Sequence, residues 1–241
     1  MVQKDAFNKI YEQGTWGSGT SLSPLSGTGS NPDAAKPYVD FVSETIKNIK
    51  ISSVLDLGHG DWVMWRDYKF EDTQYLGLDV VQKLTTKNME LYGSRNVNFK
   101  HISNGETLPK AQLLICKDVL QHLSLLEIRE ILSQISKYQY VIFCNDIDLN
   151  QTFWNTFLYR VQISNRLSRI KNFKSPFYRV KYPFNNSEIE TGSYRGIDLE
   201  TPLFLHYFAK YSLVNKFDFG STYFGDTFKR VYLWKKIELH N

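Results

Sequence analysis

Short apolar runs bounded by polar or turn residues recur through the first 146 positions: SSVLDLG at 52–58, QYLGLD at 74–79, VNFKHI at 97–102, QLLICK at 112–117 and YVIFCND at 140–146. Each has the length and flanks of a buried strand. Between them, 80–92 and 124–136 read as helices, the second with Leu125, Ile128, Leu132 and Ile135 on one face. Upstream, Asn31 and Pro32 form a cap and first-turn signal, and Tyr38, Phe41, Val42, Thr45, Ile46 and Ile49 follow at helical spacing, predicting a helix that ends near Asn48. Strands alternating with helices predict an α/β fold: a doubly wound, mostly parallel sheet with helices on both faces and a ligand crevice at the carboxyl ends of its central strands.

The rhythm breaks at Ile147. Residues 147–199 read as an inserted lid or substrate region, beginning with an aromatic and basic helical stretch. A helix near 202–211 and strands at 213–220 and 228–237 follow, the last two joined by about seven residues. That spacing predicts an antiparallel hairpin closing a seven-stranded sheet. Residues 12–33 are rich in Gly, Ser, Thr and Pro around one large aromatic, Trp16. Residues 1–33 thus read as a loop or arm, and 34–241 as one domain.

Composition agrees with a single core: 241 residues, 42% hydrophobic and 15% aromatic. No run approaches the roughly 18 apolar residues that span a bilayer, and the first residues lack a secretory centre, so a soluble, cytoplasmic protein is expected. Cys116 and Cys144 lie inside apolar runs, which suggests neither a disulfide nor a zinc site. The net charge of +4 is uneven, with no Asp or Glu over 149–187 but seven basic residues, Arg160, Arg166, Arg169, Lys171, Lys174, Arg179 and Lys181. Three readings compete for this stretch: a lid attracting an anionic acceptor, a surface for anionic lipid or RNA, or a solvated helix. A run wholly without acids favours the lid.

The chemistry concentrates at 54–62, VLDLGHGDW, where a strand runs into a glycine turn. Gly58 and Gly60 permit backbone torsions and a close ligand approach that a Cβ would block. Nineteen residues after Gly60 stands Asp79, at the end of the next strand, placed to accept hydrogen bonds from ribose hydroxyls. Val63 stands where a dinucleotide fingerprint has its third glycine, so the pattern favours a nucleoside over a dinucleotide.

Together, VLDLGHGDW, YLGLD and LLICKDVLQHL resemble the first, second and fourth motifs of the class I S-adenosylmethionine-dependent methyltransferases, which have a Rossmann-like fold. The resemblance implies S-adenosylmethionine as cofactor, with Asp56, Gly58 and Gly60 lining its methionine part, Asp79 its ribose, and Ile102 or Ser103 its adenine edge. Lys117 and Asp118 would lie near the sulfonium and the acceptor. His59 departs from the small residue common at its position, which implies a looser turn. The stretches around Trp16 and GSYRGIDLETPLFL at 192–205 resemble a bacterial subgroup associated with small-molecule and surface-glycan loci. That resemblance implies Trp16 over the cofactor and Tyr194 and Arg195 facing the acceptor.

For a hydroxyl acceptor a base is needed, and His122 is the first candidate, with local packing as its plainer role. A second arrangement converges Asp118, Asn145 and Asp146 on Mg²⁺ and a substrate diol, as in metal-dependent O-methyltransferases, although Asn and Asp at strand ends commonly start turns. Arg195 reads either as a bidentate partner for an acceptor phosphate or carboxylate, or as a surface side chain on Tyr194. The leading expectation is methyl transfer to oxygen, then nitrogen, of a small-molecule or glycan acceptor, with an anionic or phosphorylated one favoured by the basic stretch. RNA methylation is the alternative, against which no RNA-binding module or aromatic RNP motif is present. A non-catalytic cofactor-binding module is the third reading, opposed by the retention of Asp56, Gly58 and Asp79.

Overall fold

The computed structural model describes residues 2–20, 22–103, 105–148, 185–220 and 227–238. The basic stretch, and with it most of the expected 147–199 insertion, lies outside these residues. Among the described helices, none is long and apolar enough to cross a membrane.

Seven strands form one sheet: β1 (Ser53–Leu57), β2 (Gln74–Asp79), β3 (Val97–His101), β4 (Leu113–Lys117), β5 (Tyr140–Asp148), β6 (Tyr211–Gly220) and β7 (Thr227–Lys236), in the order β3-β2-β1-β4-β5-β7-β6. The first five are parallel, and β7 runs antiparallel between β5 and β6. The chain turns from one half of the sheet to the other between β1 and β4, which opens a crevice above their carboxyl ends.

Among the described residues the α-helices are α1 (Val2–Glu12), α2 (Pro32–Ile49), α3 (Gln82–Tyr92), α4 (Leu125–Ser133) and the short α5 (Pro202–Leu205). Asn31 caps α2 through its side chain, accepting from the amides of Asp33 (3.0 Å) and Ala34 (3.4 Å), with Pro32 in the first turn. Ser124 and Glu127 form a reciprocal capping box on α4. The helix expected over 202–211 is a single α turn continued by a 3₁₀ turn at His206–Phe208. α1 was not expected. Its apolar residues include Phe7, Ile10 and Tyr11, a short stripe held by tertiary contacts around Trp16.

Alternation along the strands divides the core in two. Leu55, Leu114, Cys116, Phe143, Tyr232 and Trp234 face one side, with α4 and α5. Val54, Leu113, Ile115, Ile142, Cys144, Val231 and Leu233 face the other, against Tyr38, Val42 and Ile46 of α2. This parity decides which strand-end residues meet at the crevice.

Candidate active site

One cavity of about 300 Å³ opens at the carboxyl ends of β1, β2 and β4. At its centre is the turn after β1. Gly58 and Gly60 have φ of 78° and 57°, in the left-handed region. The Gly58 amide donates to the Leu78 carbonyl (2.7 Å), and the Gly60 amide to Asp79 Oδ2 (3.0 Å). The other oxygen of Asp79 accepts from the Val81 amide (2.9 Å), so this carboxylate ties the glycine turn to the start of α3 while lining the cavity.

The N-terminal segment is fastened to the same turn. Ser26 and Asp61 exchange hydrogen bonds, the Ser26 amide to Asp61 Oδ2 (3.2 Å) and the Asp61 amide to Ser26 Oγ (2.7 Å). The Tyr11 hydroxyl lies 3.0 Å from Ser26 Oγ. A Cβ on Gly60 would stand 2.2 Å from Ser26 Oγ, so this close approach requires glycine. Trp16 packs against Phe7, Tyr11 and His122, with ring centroids 5.8, 5.5 and 4.6 Å apart. Phe7, Tyr11, Trp16 and Ser26 all line the cavity, and the wall beyond Asp79 includes Ile102, Ser103 and Leu108.

Two expectations about the turn are corrected. His59 does not loosen it: the ring is 3% exposed, its Nδ1 lies 2.8 Å from the Gly60 carbonyl, and it packs edge-on to Phe99 over Gly77, where a Cβ would come within 2.9 Å of it. Asp56 is absent from the cavity wall. It lies beneath the turn, where Oδ2 accepts from Tyr75 Oη (2.7 Å) and Trp65 Nε1 (3.2 Å). Burial pushes its carboxyl up to about 6, against the pull of those two donors.

The opposite end of the cavity is polar. Lys117 Nζ donates to the Gly29 carbonyl (2.9 Å) and to Asp118 Oδ2. Lys229 Nζ, from β7, donates to Asp118 Oδ1 (2.6 Å) and Asp146 Oδ1 (3.0 Å). Asp146 Oδ2 accepts from Tyr194 Oη (3.0 Å) and Gln121 Nε2 (3.3 Å). Burial raises the Asp118 carboxyl, but the ammonium groups of Lys117 and Lys229 outweigh it and hold the group well below its ordinary value. Burial lowers Lys229 and its two carboxylates raise it further, leaving it firmly protonated. Burial and the neighbouring Asp146 both raise the Tyr194 phenol.

His122 ends a 3₁₀ turn after β4, and its Nδ1 lies 2.9 Å from the Ser193 carbonyl. Since a carbonyl only accepts, Nδ1 carries the proton and the neutral ring keeps its lone pair on Nε2. Burial lowers the imidazole below its ordinary value, more than the Ser193 carbonyl and the nearby carboxylates raise it.

Trp16, Gly58, Gly60, Asp79, Ser103, Lys117, Asp118, His122, Asp146 and Tyr194 therefore meet around one cavity. Asn145 and Arg195 do not. Asn145 points to the sheet face opposite Asp146, fully buried, with neither amide atom partnered among the described residues. The Arg195 side chain is also fully buried and donates to the carbonyls of Leu120 (3.0 Å) and Leu123 (2.7 Å), so it braces the turn carrying His122 rather than facing an acceptor. The triad of Asp118, Asn145 and Asp146 does not fit Mg²⁺: its third ligand faces away, and the Lys229 ammonium sits between the two carboxylates.

Sequence reasoning missed Tyr11, Ser26, Gln121 and Lys229. For Lys229 a signal was present: it continues the inward phase of Val231 and Leu233 in β7, where a lysine must find buried partners.

By sequence alone, no family model and no curated protein matches the chain. Among solved structures, it resembles the N-methyltransferase NodS from Bradyrhizobium japonicum WM9 in complex with S-adenosyl-L-homocysteine, at TM-score 0.61 and 9% identity over 98% of this chain and 99% of that one. It also resembles magnesium protoporphyrin IX methyltransferase from Synechocystis PCC 6803 with bound S-adenosylhomocysteine, at TM-score 0.55 and 14% identity over 96% and 93% of the two chains. A third neighbour is an S-adenosylmethionine-dependent methyltransferase from Clostridium acetobutylicum ATCC 824, at TM-score 0.51 and 13% identity over 84% and 92%. The chain therefore has the Rossmann-like fold of the class I S-adenosylmethionine-dependent methyltransferases.

Proposed function

We propose that this protein transfers a methyl group from S-adenosylmethionine to an oxygen, and in second place a nitrogen, of a small-molecule or glycan acceptor. One observation carries the reading: a glycine turn and a strand-end carboxylate, Asp79, open onto the same cavity as a buried polar cluster and His122. The first pair suits a nucleoside, the second an acceptor. That two neighbours of this fold bind S-adenosylhomocysteine supports the cofactor assignment.

The residues present fit that cofactor. Gly58 and Gly60 leave room for the methionine part, Asp79 retains lone pairs for ribose hydroxyls, Ile102 and Leu108 offer apolar contact and Ser103 a hydroxyl to the adenine, and Trp16, Phe7 and Tyr11 form an aromatic wall of the site. When bound, the cofactor supplies an electrophilic methyl carbon. The chain aligns the acceptor for in-line displacement, excludes water and removes the acceptor's proton. Asp146 is fully engaged by Lys229, Tyr194 and Gln121, which leaves His122 Nε2 as the base. The basic stretch, outside the described residues, is the part of this reading that favours an anionic acceptor.

Calorimetry with S-adenosylhomocysteine is expected to show one site per chain, and absence of binding by both it and S-adenosylmethionine would sink the reading. An acceptor screen over nucleotide sugars and phosphorylated metabolites follows. With a responding acceptor, kcat/KM should fall as pH decreases through the pKa of His122. Because burial disfavours the imidazolium, the midpoint of that acidic limb is expected below the ordinary 6.5, and His122→Asn should abolish the limb along with most activity. A midpoint above 6.5 would assign the base elsewhere.

A further inference from the structure

The acceptor half of the cavity is organised around one ammonium group. Lys229 is 3% exposed, extreme for a lysine. Its Nζ is shared by Asp118, which follows β4, and Asp146, near the end of the adjacent parallel strand β5, and Lys229 stands directly opposite Asp146 in the antiparallel pairing of β5 with β7. Lys117 takes the other oxygen of Asp118, while Tyr194 and Gln121 take the other oxygen of Asp146. Each carboxylate oxygen has a donor, and the two ammonium groups balance the two carboxylates. Two such carboxylates at neighbouring strand ends are ligands for a hard divalent cation, yet the point between them is filled from β7.

We propose that Lys229 is the resident cation of the acceptor site, standing in place of a divalent metal and directing its remaining N–H to the acceptor oxygen. Lys229 lines the cavity, and among the described residues two of its three N–H groups are committed to the carboxylates, leaving one for the acceptor. The catalytic part of the inference rests on the methyl-transfer reading. The acceptor's proton passes to His122 Nε2 as the O–CH₃ bond forms and the C–S bond breaks, the sulfur keeping that electron pair. Lys229 holds the oxygen in line and exchanges no proton. Methyl transfer by this chain then needs no metal ion, and the electrostatic role falls to a group that cannot be chelated away.

The test is whether removing the ammonium creates a metal site. Manganese(II), followed by electron paramagnetic resonance, is expected to bind the wild-type protein no tighter than about 1 mM and Lys229→Ala at least ~10-fold tighter, since two ionised carboxylates then face a vacant position. Lys229→Met combined with Asp146→Asn removes one charge of each sign and is expected to bind manganese as weakly as wild type. Equal affinity of wild type and Lys229→Ala, tight or weak, overturns the proposal. Should Lys229→Ala be unfolded without metal, magnesium is expected to restore its thermal transition, and failure of every divalent ion to do so overturns the proposal equally. S-adenosylhomocysteine calorimetry on the wild type runs beside these titrations. Its failure removes the methyl-transfer reading and leaves the cation result to be judged alone.

Discussion

Asp79→Asn is expected to weaken S-adenosylhomocysteine binding by about 10- to 100-fold. The substitution is conservative in shape only. Each oxygen of Asp79 accepts a buried backbone N–H, from Gly60 at 3.0 Å and Val81 at 2.9 Å. An asparagine must set its NH₂ against one of them, and a buried donor left unsatisfied costs about 1–3 kcal/mol. The middle of that range, about 1.4–2.7 kcal/mol, converts to the stated loss if the turn binds ligand only when closed. The same change also disturbs the proposed ribose contact, so hydrogen exchange at the Gly60 and Val81 amides separates the two effects: both should exchange faster in the unliganded variant. Unaltered exchange with weakened binding would confine Asp79 to the ribose, and a loss under 10-fold would contradict both roles.

Gly60→Ala carries the second large effect, about 2–5 kcal/mol of stability together with loss of cofactor binding. A left-handed backbone costs an L-residue roughly 1–2 kcal/mol, and an added methyl in a packed site roughly 1–3 kcal/mol more. Here the methyl would meet Ser26 Oγ at 2.2 Å. Ser26→Gly should recover the steric part and leave the backbone part. The double-mutant cycle is therefore expected to show coupling of about 1 kcal/mol or more, measured by thermal or denaturant unfolding. Additive effects would mean that the arm does not pack on the turn. The outcome bears on the proposed function because Ser26 and Asp61 join the N-terminal segment to the glycine turn.

The errors of sequence reasoning at this site share one physical origin. Asn145 and Asp146 are neighbours in the chain, and proximity suggested a common task, but successive strand residues face opposite sides of a sheet. Arg195 occupies a loop rich in polar residues and resembled a ligand-facing cation. Its guanidinium instead satisfies two carbonyls of the turn before α4, contacts spanning 75 and 72 residues. His59 was expected to open the glycine turn because its own bulk was legible, whereas the space made for it by Gly77 on the adjacent strand was not. Asp56 belongs to the glycine motif yet faces Tyr75 and Trp65 beneath it, a direction set by strand parity and aromatic packing.

By itself the sequence determined the alternation of strands and helices, the cap of α2, the glycine turn and the carboxylate at the end of the next strand, because each depends on local periodicity or on backbone freedom at one position. The tertiary structure decided what those elements enclose. Lys229 reaches Asp118 across 111 residues and Asp146 across 83, and His122 gains its tautomer from a carbonyl 71 residues away. Those meetings follow from strand order, with β7 inserted beside β5, and from the face each side chain takes. A periodic pattern states which residues are inward, but only the order of strands states which inward residues touch.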